Sequence, residues 1–303
     1  MNITSANLAL MQLQTLSSLT NPSPGTDSSD SFASLFSLLV SSNGSSGLAS
    51  TDPLALITPS AYVSQSSGVN GISATGRNMA LFDPESAYAM MTNINNKDVA
   101  YKAQYSELSQ MRSSVSGMEG AGKSLGKIDL STSNDGIQSQ LQSFVGQYNN
   151  WIQQYNPDIQ QGGLLADTQA AQASRFELEQ NFNNPLFGVK DGVQGLRAMG
   201  VSIDPYSHLS TLDSAKLNAL LASNKQGAVD TLQEFSANFA KSANLLNADG
   251  NFFVKQLDNL NRAIHFIADN KSSLQQEFGT GDAAKPTGKV AQALVAYNQI
   301  IGA

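Results

Sequence analysis

The residues from Gly117 to Ser124 match the pattern G-x-x-x-x-G-K-S, in which a P-loop binds phosphate through its backbone N–H groups. That chemistry needs a buried strand before the loop and a helix after it, because the N-terminus of the helix faces the phosphates. Here residues 109–114 are the polar end of a predicted helix, and Gly126 comes two residues after Ser124. We therefore interpret the match as part of a Gly/Ser-rich linker, and we predict no nucleotide-binding site and no cofactor.

The other side chains that could do chemistry form no catalytic or metal-binding pattern. The sequence has no cysteine, which excludes disulfides and thiolate metal ligands. Its two histidines, His208 in a predicted turn and His265 beside an apolar helix face, fit solvated or core-edge positions. We predict that the chain is not an enzyme and holds no metal. An enzyme with an unrecognised site is the least favoured alternative.

The composition favours a protein that packs against other protein surfaces. Charged residues are 14% of the chain, below the roughly 25% of an average soluble protein, and Ser, Asn, Gln, Ala and Gly replace them. The net charge of −7 provides no basic surface, so nucleic acid and anionic membranes are not expected partners. No apolar run approaches the ~20 residues of a transmembrane helix, so we predict no membrane insertion.

Residues 1–76 differ from the rest of the chain in their high content of Ser, Gly, Thr and Asn, interrupted by short apolar islands. Helices below ~12–15 residues are marginal when isolated, so these islands are weak helix candidates. We predict a mostly disordered leader that contains one or two short helices, or none. The first basic residue is Arg77, so the N-terminus does not resemble a cleaved signal peptide, and we expect export without cleavage.

A long helix is predicted within residues 77–118. Asp83 can cap its N-terminus, and Pro84 suits the first helical position. Apolar residues at seven-residue spacing then call for a partner helix. They are Ala87, Ile94, Tyr101, Leu108 and Val115. Because Lys97 and Asp98 interrupt this repeat, we expect packing within a bundle in preference to an isolated two-stranded coil.

Residues 119–136 are predicted to be a Gly/Ser linker, and residues 137–303 a helical domain. In this domain a first amphipathic helix is expected to end before Pro157, because proline disfavours helix at the residue before it. Asp167 can cap the next helix, which runs to about Asn183.

A small β-hairpin is predicted where residues 201–203 and 209–212 flank a turn, and Asp213 can cap the helix that follows. Two long helices come next, and the second has the most regular apolar spacing in the chain, alternating steps of four and three residues. We predict that the heptad residues form a seam along which helices pack, within one chain or between chains. The seam residues are Ile94, Tyr101, Leu108, Phe253, Leu257, Leu260, Ile264, Ile267, Leu274 and Phe278. The predicted fold is mainly α: an elongated, coiled-coil-like helical bundle with one small β-hairpin and a flexible N-terminal leader.

Several segments of the helical domain carry a family pattern. They are FVGQYN at 144–149, GLLAD at 163–167, and LRAMGVSID at 196–204, which continues through Leu209 to LDSAKL at 212–217. Together these segments resemble the C-terminal region of the flagellar hook-associated protein 2 family, the filament-capping proteins. The turn has Ser207 where the family usually has glycine, and residues 1–76 lack the family's opening, as expected of a divergent or reduced member.

The resemblance implies a function and a location. Members of the family are exported through the flagellar type III apparatus and assemble into ring-like caps at the filament tip, where they promote flagellin polymerisation. By this resemblance we expect a secreted structural protein of the bacterial flagellum that self-associates, contacts flagellin and other hook-associated proteins, and contributes to motility and cell adhesion. The alternative is an intracellular flagellar or type III secretion accessory factor that binds an exported helix.

Overall fold

The helices and strands follow one another within residues 71–302, the part of the chain that the computed structural model describes. The helices are α1 (Pro84–Leu125), α2 (Asn134–Ile159), α3 (Gln169–Asn183), α4 (Gly195–Ala198), α5 (Ser214–Ser223), α6 (Lys225–Asn247), α7 (Phe252–Phe278) and α8 (Gly288–Gly302). The strands are β1 (Val201–Ile203) and β2 (Ser210–Leu212), and Val189–Asp191 form a short 3-10 turn. The predicted fold class, mainly α with one small hairpin, is confirmed. The predicted leader lies outside the described residues except for positions 71–76.

Helix α1 begins where the sequence predicts. The side chain of Asp83 accepts a hydrogen bond from the backbone N–H of Ser86 at 3.1 Å, and Pro84 is the first helical residue. The helix continues to Leu125, however, and α2 begins at Asn134, so the predicted linker over 119–136 is wrong in its first seven and last three residues.

Packing explains why α1 passes through a glycine-rich sequence. Met118 and Leu125 are buried, and Gly122 is buried between them. A Cβ atom at Gly122 would lie 2.7 Å from Cδ1 of Phe239 in α6, so the absence of a side chain permits the close approach of the two helices. Burial along this face therefore outweighs the low helix propensity of glycine.

The ends of α2 and α3 also differ from those predicted. Helix α2 begins at Asn134, passes through Pro157 and ends at Ile159, so the predicted end before Pro157 is wrong. Pro157 lies in the last turn with its ring exposed, where it removes one helical hydrogen bond while the buried residues beside it keep the chain in place. Thr168, and not Asp167, precedes α3, and no side chain caps that helix.

The hairpin and the cap of the helix after it are confirmed. Strands β1 and β2 pair antiparallel, with Val201 opposite Leu212 and Ile203 opposite Ser210. The carboxylate of Asp213 accepts a hydrogen bond from the backbone N–H of Lys216 at 3.0 Å and so caps α5.

Helix α1 packs most extensively against α6, α7 and α8, with α2 also in contact. An aromatic cluster fills the space between α2, α3 and α6. Its members are Phe144, Tyr148, Phe182, Phe235 and Phe239. The rings of Phe144 and Phe182 are stacked with centroids 5.6 Å apart, and Phe144 meets Phe239 edge to face at 4.9 Å. Each such pair contributes about 0.5–1.5 kcal/mol beyond the area it buries.

Candidate functional site

The P-loop match is helical and cannot form a phosphate cradle. Residues 117–124 lie inside α1, where the helix uses their backbone N–H groups internally. The amine of Lys123 pairs with Oε1 of Glu119 one turn earlier at 2.5 Å, and the hydroxyl of Ser124 donates to the carbonyl oxygen of Gly120 at 3.1 Å. The interpretation of the match as coincidental is supported, although the segment is a helix end instead of a linker.

The predicted seam residues are nearly all buried inside one chain. Leu108, Phe253 and Leu260 are fully buried, and Ile94, Tyr101, Leu257, Ile264, Ile267 and Leu274 are less than a tenth exposed. Phe278, at the end of α7, is half-buried. The structure brings the two parts of the seam together, since α7 packs along α1. This contact buries the apolar faces that the heptad spacing identified.

Hydrogen bonds join the family segments at 144–149 and 196–217. Asn149 of α2 donates through Nδ2 to the carbonyl oxygen of Ser210 at 2.8 Å and accepts through Oδ1 from the N–H of Ser210 at 2.7 Å. Gly200 has a φ of 90°, and a Cβ atom there would lie 2.6 Å from the carbonyl oxygen of Asp213, which only glycine avoids. Asn149 and Gly200 thus fix how the hairpin sits on α2 and how it enters α5.

The two histidines lie at core-edge and solvated positions, as predicted, with His208 half-buried and His265 exposed. His208 follows the hairpin turn with a φ of 59°, and its Nδ1 approaches Oε1 of Glu179 in α3 at 2.7 Å. His265 is exposed on α7. The contact of His208 joins the hairpin turn to α3, a structural role that the sequence did not indicate.

A cluster of charged groups that the sequence did not indicate lies where α1, α2 and α8 meet. The amine of Lys289 is 3.3 Å from Oε1 of Glu107 and 3.1 Å from Oδ2 of Asp158. Burial raises the pKa of Glu107, and the neighbouring charge of Asp158 raises it further against the lowering effect of Lys289. Burial opposes the charge of Lys289, but the close contact of its amine with Asp158 and the charge of Glu107 outweigh it and raise the pKa of Lys289. The three residues lie far apart in the sequence and on different helices, so no local pattern could have revealed them.

Helix α8 carries apolar side chains on more than one face. Ala293 and Tyr297 are buried against the bundle, where the ring of Tyr297 meets Tyr105 of α1 edge to face with centroids 5.8 Å apart. Val295 is 60% exposed and Ile301 is 58% exposed. The only charged residue in the helix is Lys289, whose amine contacts the carboxylates described above.

Two further features bear on function. Within residues 71–302, no group of three or more His, Cys, Asp or Glu side chains is placed to hold a metal ion. No helix in that same part of the chain is both long enough and apolar enough to cross a membrane.

Comparison with known proteins identifies the family. Neither the curated proteins nor the solved structures provide a match to this chain. The family model described as "Flagellar hook-associated protein 2 C-terminus" matches residues 119–285, slightly more than half of the 303 residues. The matched region contains the hairpin unit with Asn149, Gly200 and Ser210, and all of α7. The chain therefore belongs to the flagellar hook-associated protein 2 family, through the C-terminal region of that family, and is a structural protein of the flagellum.

Proposed function

We propose that this protein acts at the tip of the flagellar filament, where it assembles with copies of itself and promotes the polymerisation of flagellin. The family match over residues 119–285 carries this proposal. The structure supports it because Asn149 of α2 is hydrogen-bonded to Ser210 of the hairpin, which joins two of the family segments. The P-loop match lies inside a helix, which argues against nucleotide binding. We further propose that the protein has no enzymatic activity and that it is exported.

Deletion of the gene in the source bacterium tests this role. We expect the deletion strain to lose motility and to release unpolymerised flagellin into the medium, and we expect the full chain supplied in trans to restore filaments. A deletion strain with normal filaments would contradict the proposal. Cell fractionation of the wild-type strain distinguishes the cap subunit from the alternative, an intracellular accessory factor. A cap subunit should appear in the medium, exported through the flagellar apparatus. An accessory factor should stay in the cytoplasm, even though its deletion also abolishes filaments.

We propose that the chain self-associates through the exposed surface of α8. The partner on this surface is a second copy of the same chain. Val295 and Ile301 are exposed apolar side chains about 120° apart around this helix, and exposed apolar surface marks an interaction site. The helix offers a partner no unpaired charge, because the amine of Lys289 is engaged within its own bundle. An identical helix, whose one charged residue is engaged within its own bundle, satisfies this surface without leaving an unpaired charge buried.

Sedimentation velocity at several protein concentrations tests this contact. We expect the wild-type chain to form larger species as the concentration rises, and we expect Val295→Asp to remain monomeric, because burial of one valine contributes roughly 1.5–3 kcal/mol. Asn218→Asp is the matched control, since Asn218 is an exposed polar residue of a different helix, α5. A wild-type chain that stays monomeric, or a Val295→Asp variant that associates as the wild type does, would refute the assignment of the surface.

A further inference from the structure

Three charged side chains from three helices meet at one place in the bundle. Glu107 belongs to α1, Asp158 to α2 and Lys289 to α8. The side chains of Glu107 and Asp158 are only 4% and 7% exposed, whereas that of Lys289 is 42% exposed and enters from the surface. The two acids are thus fixed parts of the core, and the cation is carried by the last helix.

Lys289 supplies the positive charge that partly offsets the two carboxylates at this place. Two carboxylates lie close together, and their ion-pair contacts both run to the one amine of Lys289. The other titratable group that faces them is Tyr155 of α2, whose hydroxyl is hydrogen-bonded to Ser114 at 2.8 Å and which carries no charge near neutral pH. Without the amine, two like charges would face each other with little water to screen them, and such buried uncompensated charge is strongly unfavourable.

Apart from Lys289, α8 is attached mainly through one side that packs against α1. The segment after α7 is tied to α1 as far as Asp282, whose N–H donates to Thr92 at 2.8 Å and whose carboxylate accepts from Tyr88 at 2.9 Å. Residues 283–287 then connect to α8 as exposed or half-buried chain. Beyond them, α8 meets α1 through one face that includes Ala293 and Tyr297, while Val295 and Ile301 remain exposed.

From this geometry we propose that Lys289 is an electrostatic latch, and that α8 opens as a unit from the bundle about residues 283–287 when the latch is broken. Helix α8 has few buried side chains, so it belongs to the segments that open at a lower free energy than the whole fold. The latch sets that free energy, because opening separates the amine from two carboxylates that stay behind in the core. This inference concerns the folded chain alone and does not depend on the proposed role at the filament tip.

Hydrogen exchange followed by mass spectrometry on the full chain tests the latch. In Lys289→Met the amides of residues 290–301 should exchange roughly 10- to 100-fold faster than in the wild type, with α1 and α2 unchanged. Lys285→Met is the matched control, because Lys285 is an exposed lysine one turn's length earlier in the chain, and we expect no change for it. Equal effects of the two substitutions on α8 would overturn the proposal.

A rescue variant separates the latch from a general loss of stability. Adding Glu107→Gln to Lys289→Met removes one of the two facing carboxylates, so we expect α8 to regain most of its protection. If the double variant exchanges as fast as Lys289→Met, the repulsion between the carboxylates does not drive the opening and the proposal fails. It fails also if Lys289→Met accelerates exchange equally in every helix, because α8 then has no opening of its own.

Discussion

Glycine has opposite roles at two neighbouring positions of α1, and this difference can be measured. At Gly120 an added Cβ atom would meet nothing within 4 Å, whereas at Gly122 it would lie 2.7 Å from Cδ1 of Phe239. Both glycines lie in the same helix, close to the same end. Alanine at either position therefore brings a similar gain in helix propensity, and only Gly122→Ala adds a steric clash.

The magnitudes follow from these two effects. Replacing glycine by alanine within a helix stabilises it by roughly 0.5–1 kcal/mol, so Gly120→Ala should raise the free energy of unfolding by about that amount. Overpacking a core costs about 1–3 kcal/mol. Phe239 cannot withdraw easily, because it is fully buried and its ring meets Phe144 at 4.9 Å and Phe235 at 5.4 Å. Gly122→Ala should therefore be less stable than Gly120→Ala by about 1–3 kcal/mol.

Urea unfolding of the two variants, followed by circular dichroism, gives the comparison directly. The midpoint should rise for Gly120→Ala and stay at or below that of the wild type for Gly122→Ala, with unchanged slopes, since a constant slope shows that the unfolded state has not changed. Gly117→Ala is a second control, because Gly117 is also open on all sides. Free energies of unfolding for Gly120→Ala and Gly122→Ala that agree within about 0.5 kcal/mol would refute the close approach of α1 and α6, since independent surface changes fall in that range.

Three further predictions concern the seam, the hairpin and the buried acids. Leu260→Asp should lower the free energy of unfolding by at least about 3 kcal/mol, because Leu260 is fully buried in α7, whereas Leu245→Asp at a half-exposed position of α6 should change it by less than about 0.5 kcal/mol. Urea unfolding of both variants checks this, and similar losses would contradict it. Asn149→Ala should cost about 1–3 kcal/mol and speed hydrogen exchange at the amide of Ser210, which loses its acceptor. Because the pKa of Glu107 is raised above 4.5 in the folded chain, its ionisation opposes folding, and stability is lost as the pH rises through that raised pKa. Glu107→Gln should therefore become more stable relative to the wild type as the pH rises from about 4 to 7, as measured by the free energy of unfolding of each protein. A relative stability that falls over this range would contradict the raised pKa of Glu107.

The sequence predicted the core of the fold well because its signals are periodic and local. Residues seven apart, such as Ile94, Tyr101 and Leu108, share one helix face, and burying that face is the main source of helical stability in a protein. The cap at Asp213 and the hairpin before it were predicted for a similar reason, since each depends on residues within a few positions of one another.

The helix ends were predicted less well because tertiary contacts decide them. Glycine content indicated a linker after residue 118, but contact with α6 keeps the chain helical to Leu125. Pro157 indicated an end to α2, but the helix closes one more turn over buried neighbours. Local propensity is a weak prior, and a well-packed partner face overrides it.

The charged cluster at Glu107, Asp158 and Lys289 could not have been predicted from the sequence. Each residue taken alone is an ordinary acid or base on a helix, and only the packing of α8 brings the three together. Helical spacing was the one available hint, because Glu107 lies four residues before the apolar residue Met111, which is fully buried. Helical spacing does not say what a neighbouring helix places opposite such a residue.

Burial of the seam also changes where partner contacts should be sought. A side chain that is fully buried in one chain, such as Leu260, has no surface left for a second protein unless the fold opens. Heptad spacing does not distinguish these two uses, because an apolar stripe packs equally well within a chain or between chains. The apolar residues left exposed, among them Val295, Ile301 and Tyr206 at the hairpin turn, are therefore the better candidates for contacts in an assembly. Substitutions at those positions should change association while leaving the free energy of unfolding nearly unaltered, which is the reverse of what substitution in the seam should do.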